Sequence, residues 1–326
     1  MNTEREQSVK LADRQNHEPL FSIVVPTYNR EDSILNTIEG CLAQSLADFE
    51  LVIVDDGSED NTADAVKAVE DPRICYIYQD NSGPAAARNR GVEAASGKYI
   101  AYLDADDKWY PEYLATAHDF IKAGNHRFVY SQIIVDRGVG RYWIKPDRKI
   151  EASESIFDYL YIHGGFIQTS TMIVETNLAQ RITWDEAVTF GDNDQYAIDL
   201  VLAGAQPVMM DIRGTLYEDI INPKALSQLP IHGGASEKYT NFLSWMAGQR
   251  EHMSDEAWLG FRAKFETGTL DMLARIRLLR EARQAGVISS KGFLRLLLQH
   301  SYPRFYRRLT DKFVAMRGLT LQAIRP

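Results

Sequence analysis

The sequence predicts an α/β fold: a mostly parallel sheet with helices on both faces, followed by a helical C-terminal extension. Three observations carry this. Short runs rich in β-branched residues alternate with helical segments from Phe21 to about Asp136. The runs are continuously apolar, as strands buried on both faces are. Polar signatures, two of them aspartate-rich, follow three of the four runs directly, at the strand ends where open α/β sheets bind their ligands.

Taken in order, Phe21 to Pro26 reads as a buried strand and Ile34 to Gln44 as a helix. Glu50 to Val54 is a second strand, followed by a helix from about Thr62 to Val69. Ile74 to Tyr78 is a third strand, and the alanine-rich stretch from Ala85 to Ala95 is the next helix. Lys98 to Leu103 is a fourth strand, with a helix near Pro111 to Ala123. Strands alternating with helices at this spacing imply βαβ units. A further strand is expected at Thr171 to Val174, and helices at Leu273 to Ala285 and Lys291 to His300. The expected organisation is a polar tail over 1–19, a main domain over 20–220 with its halves meeting near 136–137, and a basic helical region over 221–326.

Composition narrows the classes. With 45% hydrophobic and 25% charged residues the chain is that of a globular protein, which excludes global disorder and fibrous repeats. Cys41 and Cys75 form neither a disulfide framework nor a metal-binding spacing. No apolar run approaches the roughly 18 residues of a spanning helix, and the first 19 residues lack the apolar stretch of a signal peptide. A cytoplasmic protein is expected.

Charge is unevenly spread. The net charge is −9, but Leu273 to Pro326 holds 12 Lys and Arg against 2 Asp and Glu, so this segment is +10 and the remainder −19. An acidic body argues against nucleic-acid binding, which draws its affinity from Lys and Arg. The basic segment mixes Arg with Leu, Phe and Tyr, a composition that suits the inner face of an anionic membrane. A solvated face against the acidic body, a dimer interface and a cover for the acceptor cleft are the other uses.

The strand-end signatures are Pro26-Thr27-Tyr28-Asn29-Arg30, Asp55-Asp56-Gly57-Ser58 and Asp104-Ala105-Asp106-Asp107. Two carboxylates two residues apart repel unless a cation lies between them, and hard oxygen donors suit Mg2+ or Mn2+, which commonly bridges to substrate phosphates. Tyr28 is placed to lie on a nucleobase and Asp56 to accept from its N–H edge. Arg88, Asn89 and Arg90 open donors toward the same edge, or form surface ion pairs. Neither GxGxxG after the first strand nor a P-loop is present.

FSIVVPTYNRE, LVIVDDGSEDNT, NSGPAAARNRGVEAASGKYIAYLDADD and WDEAVTFGDNDQYAIDLVLAGA, in this order, resemble family-2 glycosyltransferases of the GT-A fold over about Phe21 to Tyr217. The resemblance implies an inverting, metal-dependent transfer from a nucleotide-diphosphate sugar, by default a UDP-sugar, to a glycan or lipid-linked acceptor of cell-surface polysaccharide. It places nucleotide contacts on Thr27, Tyr28 and Asp56, with Arg88 beside them, and a DXD motif on Asp104-Ala105-Asp106, Asp104 near the ribose and Asp106 on the metal. Where the family carries Glu-Asp, this chain has Gly191-Asp192-Asn193-Asp194. Counting back from Gly204 sets Asp192 on the Glu and Asn193 on the Asp, so the general base is Asp192 or, with a small shift, Asp194. Asp in this place also serves as a helix N-cap. The segment His163 to Ser170 resembles part of the acceptor floor, and Trp184 is either a sugar platform or core. The competing readings are a metal-dependent nucleotidyltransferase or phosphohydrolase, and a donor-binding module without transfer.

Overall fold

The computed structural model describes residues 18–219 and 237–324. The tail expected over 1–19 and the boundary expected at 220 thus fall largely or wholly outside the described residues.

Among the described residues nine strands form one sheet: β1 (Phe21–Thr27), β2 (Phe49–Asp56), β3 (Ile74–Gln79), β4 (Tyr99–Tyr102), β5 (Lys108–Trp109), β6 (Phe128–Asp136), β7 (Tyr142–Lys145), β8 (Ile173–Glu175) and β9 (Pro207–Glu218). Their order is β3-β2-β1-β4-β8-β6-β9-β5, with β7 paired to β6. The first four strands are parallel, as their unbroken apolar text requires. Antiparallel β8 then joins β4 to β6, while β6 and β9 run parallel. The expected strand at 171–174 is shorter, because Thr169–Thr171 closes into a 3-10 turn before β8.

Helices α1 (Ile34–Leu42), α2 (Thr62–Lys67), α3 (Pro84–Ala94) and α4 (Tyr113–Gly124) lie within about two residues of their expected bounds. Two larger apolar layers result. Phe21, Ile23 and Val25 of β1 pack with Ile34 and Ile38 of α1 and with Leu114, Ala117 and Ile121 of α4. On the opposite face Val24, Tyr102, Tyr130 and Val174 pack with α3 and with α5 (Ile156–Tyr161), α6 (Thr176–Ala179) and α7 (Asp192–Leu202).

Close approach of helix to sheet has a local cause. A Cβ on Gly91 of α3 would lie 2.4 Å from Val24 Cγ1, and one on Gly97 would lie 2.7 Å from the backbone of Phe21 and Ser22.

The same core continues past the chain's described gap. Helices α8 (Glu237–Gly248) and α9 (Asp255–Lys264) contribute Phe242, Met246, Ala257 and Phe261 to the layer that holds Trp184 and Tyr196. The chain ends in α10 (Met272–Gln284), α11 (Ser290–Ser301), α12 (Pro303–Arg317) and the short α13 (Leu321–Ile324). Helix α12 returns to the main sheet: Arg137 bonds Asp311 and Asp219, and the Trp143 and Phe313 rings meet edge to face. Among the described residues no helix is long and apolar enough to cross a membrane.

Candidate active site

Parallel order β3-β2-β1-β4 brings the carboxyl ends of β1, β2 and β4 to one edge. Thr27 pairs with Asp55, and Val24 pairs with Tyr102, two residues before Asp104. The three signatures, 27–30, 55–58 and 104–107, therefore converge.

The exit of β1 is clamped to the exit of β2. Asn29 adopts the left-handed backbone, φ 51°, which asparagine tolerates. Its N–H donates to Ser58 Oγ at 2.9 Å, and its Oδ1 accepts from Glu59 N–H at 2.9 Å. Arg30 N–H donates to Thr62 Oγ1 at 2.8 Å. Tyr28 stands 42% exposed beside a cleft of about 450 Å³ lined also by Asn29, Arg30, Glu59 and Asp60. Thr27 is buried, and its Oγ1 has no hydrogen-bond partner among the described residues. An orphaned buried hydroxyl of this kind calls for a partner.

Asp56 is placed differently from an open acceptor. Its Oδ1 accepts from Gln79 Nε2 and Ser82 N–H at 2.7 and 2.9 Å, and its Oδ2 from Gly83 N–H at 2.8 Å. Three of a carboxylate's roughly four acceptor sites are thus filled. Its first task is to fold residues 82–83 onto the strand end and aim α3.

Arg88, on the first turns of α3, is likewise no free donor. It is 5% exposed; Nη2 meets Asp104 Oδ1 at 2.9 Å and Nη1 meets Asp192 Oδ2 at 2.8 Å. Burial would depress its proton affinity, but the two carboxylates outweigh burial and raise it, so the charge is fixed. The guanidinium lies 4.4 Å from the Trp184 ring centroid. Trp184 stacks on Tyr196 at 4.1 Å, and the Tyr196 and Tyr102 hydroxyls share a 2.7 Å hydrogen bond. Trp184, 1% exposed, is therefore the floor under Arg88, not an open sugar platform.

Asp106 has nearly half its side chain in solvent, with Arg30 Nη2 3.4 Å from its Oδ2. Surrounding burial, then the charge of Asp104, holds its carboxyl above the usual range, which Arg30 only partly offsets. Asp107 turns inward, where Ser170 Oγ–H donates to it at 2.5 Å and Gln168 Nε2 at 3.0 Å. Burial raises its proton affinity well above the ordinary value. Ser170 Oγ also accepts from Asp104 N–H at 3.0 Å. The segment 163–170 thus ends directly against the loop of Asp104 to Asp107.

The two candidate bases separate clearly. Gly191, at φ 70°, caps α7 without a side-chain bond, so Asp192 is the first helical residue and does not serve as N-cap. Asp192 is partly exposed and reaches the arginine bridge. Asp194 is 6% exposed, accepts from Tyr161 O–H at 3.3 Å, and is raised in proton affinity mainly by burial. Asn193, between them, donates to Ile167 O at 2.8 Å and ties α7 to the 163–170 segment.

Arg30 stood in a motif without an assigned role. Ser170 and Gln168 stood within the segment read as acceptor floor, but their bonds to Asp107, more than 60 positions away, had no local signal.

Known proteins agree with this architecture. The model of "Glycosyl transferase family 2" matches residues 22–184. The amylovoran biosynthesis glycosyltransferase AmsB of Erwinia amylovora is 30% identical over 245 residues, covering 72% of this chain and 79% of that protein. The putative teichuronic acid biosynthesis glycosyltransferase TuaG of Bacillus subtilis is 40% identical over 119 residues, 36% of this chain and 47% of that one. Residues 1–349 of S. aureus TarS, solved with UDP-GlcNAc, superpose with a TM-score of 0.61 at 18% identity, covering 91% and 90% of the two chains. That likeness bears on the fold, while the motif match and the long alignment to AmsB bear on descent. The chain belongs to glycosyl transferase family 2 and has its GT-A architecture.

Proposed function

We propose that the chain moves a glycosyl group from a nucleotide-diphosphate sugar, by default a UDP-sugar, to a hydroxyl of a glycan or lipid-linked acceptor in cell-surface polysaccharide synthesis. One observation carries the reading. Arg88 joins Asp104 of the DXD loop to Asp192 at the start of α7, so donor motif and base are held in one bonded unit.

The DXD pair fits a divalent cation. Asp104 meets its arginine through Oδ1 and Asp106 through Oδ2, which leaves each a second hard oxygen. Among the described residues no group of three His, Cys, Asp or Glu converges as a metal cage. The remaining ligands would be substrate phosphates, the arrangement Mg2+ and Mn2+ adopt at nucleotides. Asp106, with Asp104 beside it, would hold the ion. When bound, the ion neutralises charge on the departing diphosphate.

The chain's own groups do the rest. The Thr27 hydroxyl and the Tyr28 ring receive the nucleotide in the cleft beside β1. Asp192, its carboxylate fixed through Oδ2 by Arg88, takes the acceptor hydroxyl's proton. The acceptor oxygen forms its bond to the anomeric carbon as the bond to the diphosphate oxygen breaks. A single displacement of this kind inverts the anomeric centre, and general-base assistance contributes typically 10²–10⁴-fold. The reading includes a cytoplasmic location and a peripheral contact of the basic C-terminal region with the inner face of a membrane.

Incubation with UDP-sugars and Mn2+ tests it. UDP release that requires Asp192 and Asp106 is expected; release of pyrophosphate or phosphate indicates a nucleotidyltransferase or phosphohydrolase. Nucleotide binding without turnover indicates a donor-binding module.

A further inference from the structure

Of the thirteen large apolar side chains that stand exposed among the described residues, nine lie between Met272 and Leu319. They are not scattered. On α12, Phe305, Leu309, Phe313 and Met316 are 54, 42, 52 and 73% exposed. Their spacing of four, four and three residues draws one stripe along the helix. The opposite side of the helix is the packed one, with Val314 fully buried and Thr310 9% exposed.

The cations of the same helix sort the same way. Arg307 is drawn inward to Asp219 at 3.3 Å, and Asp311, the helix's one carboxylate, is drawn to Arg137 at 2.8 Å. Arg304, Arg308, Lys312 and Arg317 are exposed, and among the described residues none forms an ion pair. At 100° per residue Arg304, Arg308 and Lys312 form a row flanking one side of the apolar stripe, and Arg317 flanks the other. The outward face is therefore an apolar ridge bordered by cations, on a chain whose net charge is −9.

We propose that α12 docks flat on an anionic lipid surface, with Phe305, Leu309 and Met316 entering the headgroup–acyl boundary and its outward cations meeting lipid phosphates. Charge and apolar pattern together select this occupant. Outside Met272 to Leu319 the exposed large apolar side chains among the described residues are Tyr28, Leu35, Tyr78 and Leu202, no two on the same element, whereas an anionic bilayer supplies both acyl chains and phosphates to a helix of this kind. Phe313 anchors the helix to the sheet through Trp143. Docking would then orient the sheet to which α12 is joined through Arg137 and Trp143. The inference deepens the peripheral contact named above but stands without the transfer reaction.

Sedimentation with vesicles tests it, using full-length chain and two vesicle compositions: phosphatidylcholine alone, and phosphatidylcholine with 30% phosphatidylglycerol. The anionic vesicles are expected to carry down at least tenfold more protein than the neutral ones, and raised salt should diminish this. Phe305→Ser with Met316→Ser, and separately Arg304→Glu with Arg308→Glu, should each abolish the difference while leaving the unfolding midpoint and UDP release in solution unchanged. Equal recovery in both supernatants overturns the proposal, as does undiminished binding of both variants. A wild-type dimer in light scattering that the Ser variant reduces to a monomer, without vesicle binding by either, also overturns it and assigns the face to a second copy. UDP release is read separately, so loss of docking and loss of the transferase reading are distinguishable.

Discussion

Arg88 Nη1 and Asp192 Oδ2 meet at 2.8 Å although 104 positions separate them in the chain. The second Nη of the same guanidinium holds Asp104, so a single buried cation couples the DXD loop to the start of α7. Removing it would leave two carboxylates facing one another with no countercharge. Breaking a buried ion pair from one side is typically worth 3–5 kcal/mol; with both partners about a fifth to a quarter exposed, the lower end applies. Arg88→Ala should therefore cost about 3 kcal/mol in urea unfolding and abolish turnover. Lysine, with one point charge in place of the fork, should restore part of the stability but little of the activity.

Asp192→Asn and Asp194→Asn should behave unlike each other. The first should lower kcat about 10²–10⁴-fold with little change in nucleotide affinity, as loss of a general base does. The second should keep activity within about tenfold, because Asp194 is buried behind Tyr161. A larger kinetic loss for Asp194→Asn than for Asp192→Asn, measured as UDP release at saturating donor, would move the base to Asp194.

Asp194 also carries a pH signature. Burial raises its proton affinity in the folded chain, so between its unfolded value near 4 and its raised folded value the native state binds more protons. Its contribution to stability is thus complete at low pH and is lost as pH rises through the folded pKa. Urea midpoints measured from pH 4 to 8 should show Asp194→Asn gaining on the wild-type chain as pH increases. A constant difference would mean that Asp194 titrates normally.

Asp106→Asn should remove the response to divalent cation. UDP binding by the wild-type chain is expected to tighten with Mn2+, whereas the variant's affinity should stay at the metal-free level in calorimetry. Arg30→Gln should act the other way. Its guanidinium stands 3.4 Å from the Asp106 carboxylate, and removing a competing cation should tighten Mn2+ binding by a few-fold, a modest gain because the pair is partly exposed.

The parallel half was readable because its elements declare themselves locally. Strands such as Leu51 to Val54 are unbroken apolar runs, and the proline after Gly83 marks the start of α3. Strand order and the antiparallel insertion of β8 were not readable, since they depend on contacts such as Ala101 with Ile173 that no local text encodes. The strand-end aspartates announced a site, but not its internal division of labour. Asp56 closes a strand, and only the fold shows it bonding residues 82 and 83. Helix α12 was legible only as part of the basic helical region expected over 221–326. Its apolar stripe continues to Met316 and appears only when the buried side is known.

Two glycines test the tightness of the sheet that carries this site. A Cβ on Gly97 would lie 2.7 Å from the backbone of Phe21 and Ser22 at the start of β1, where no side chain can swing aside. Gly97→Ala should therefore be destabilising by at least about 2 kcal/mol, the range of overpacked interiors. Gly40 sits inside α1 with nothing within 4 Å of its added methyl. Gly40→Ala should instead stabilise by up to about 1 kcal/mol, because alanine is the better helix former and restricts the unfolded chain. Urea unfolding of both variants decides the matter: β1 sets the position of Thr27 and Tyr28, so the first change should also weaken UDP binding, and the second should leave it untouched.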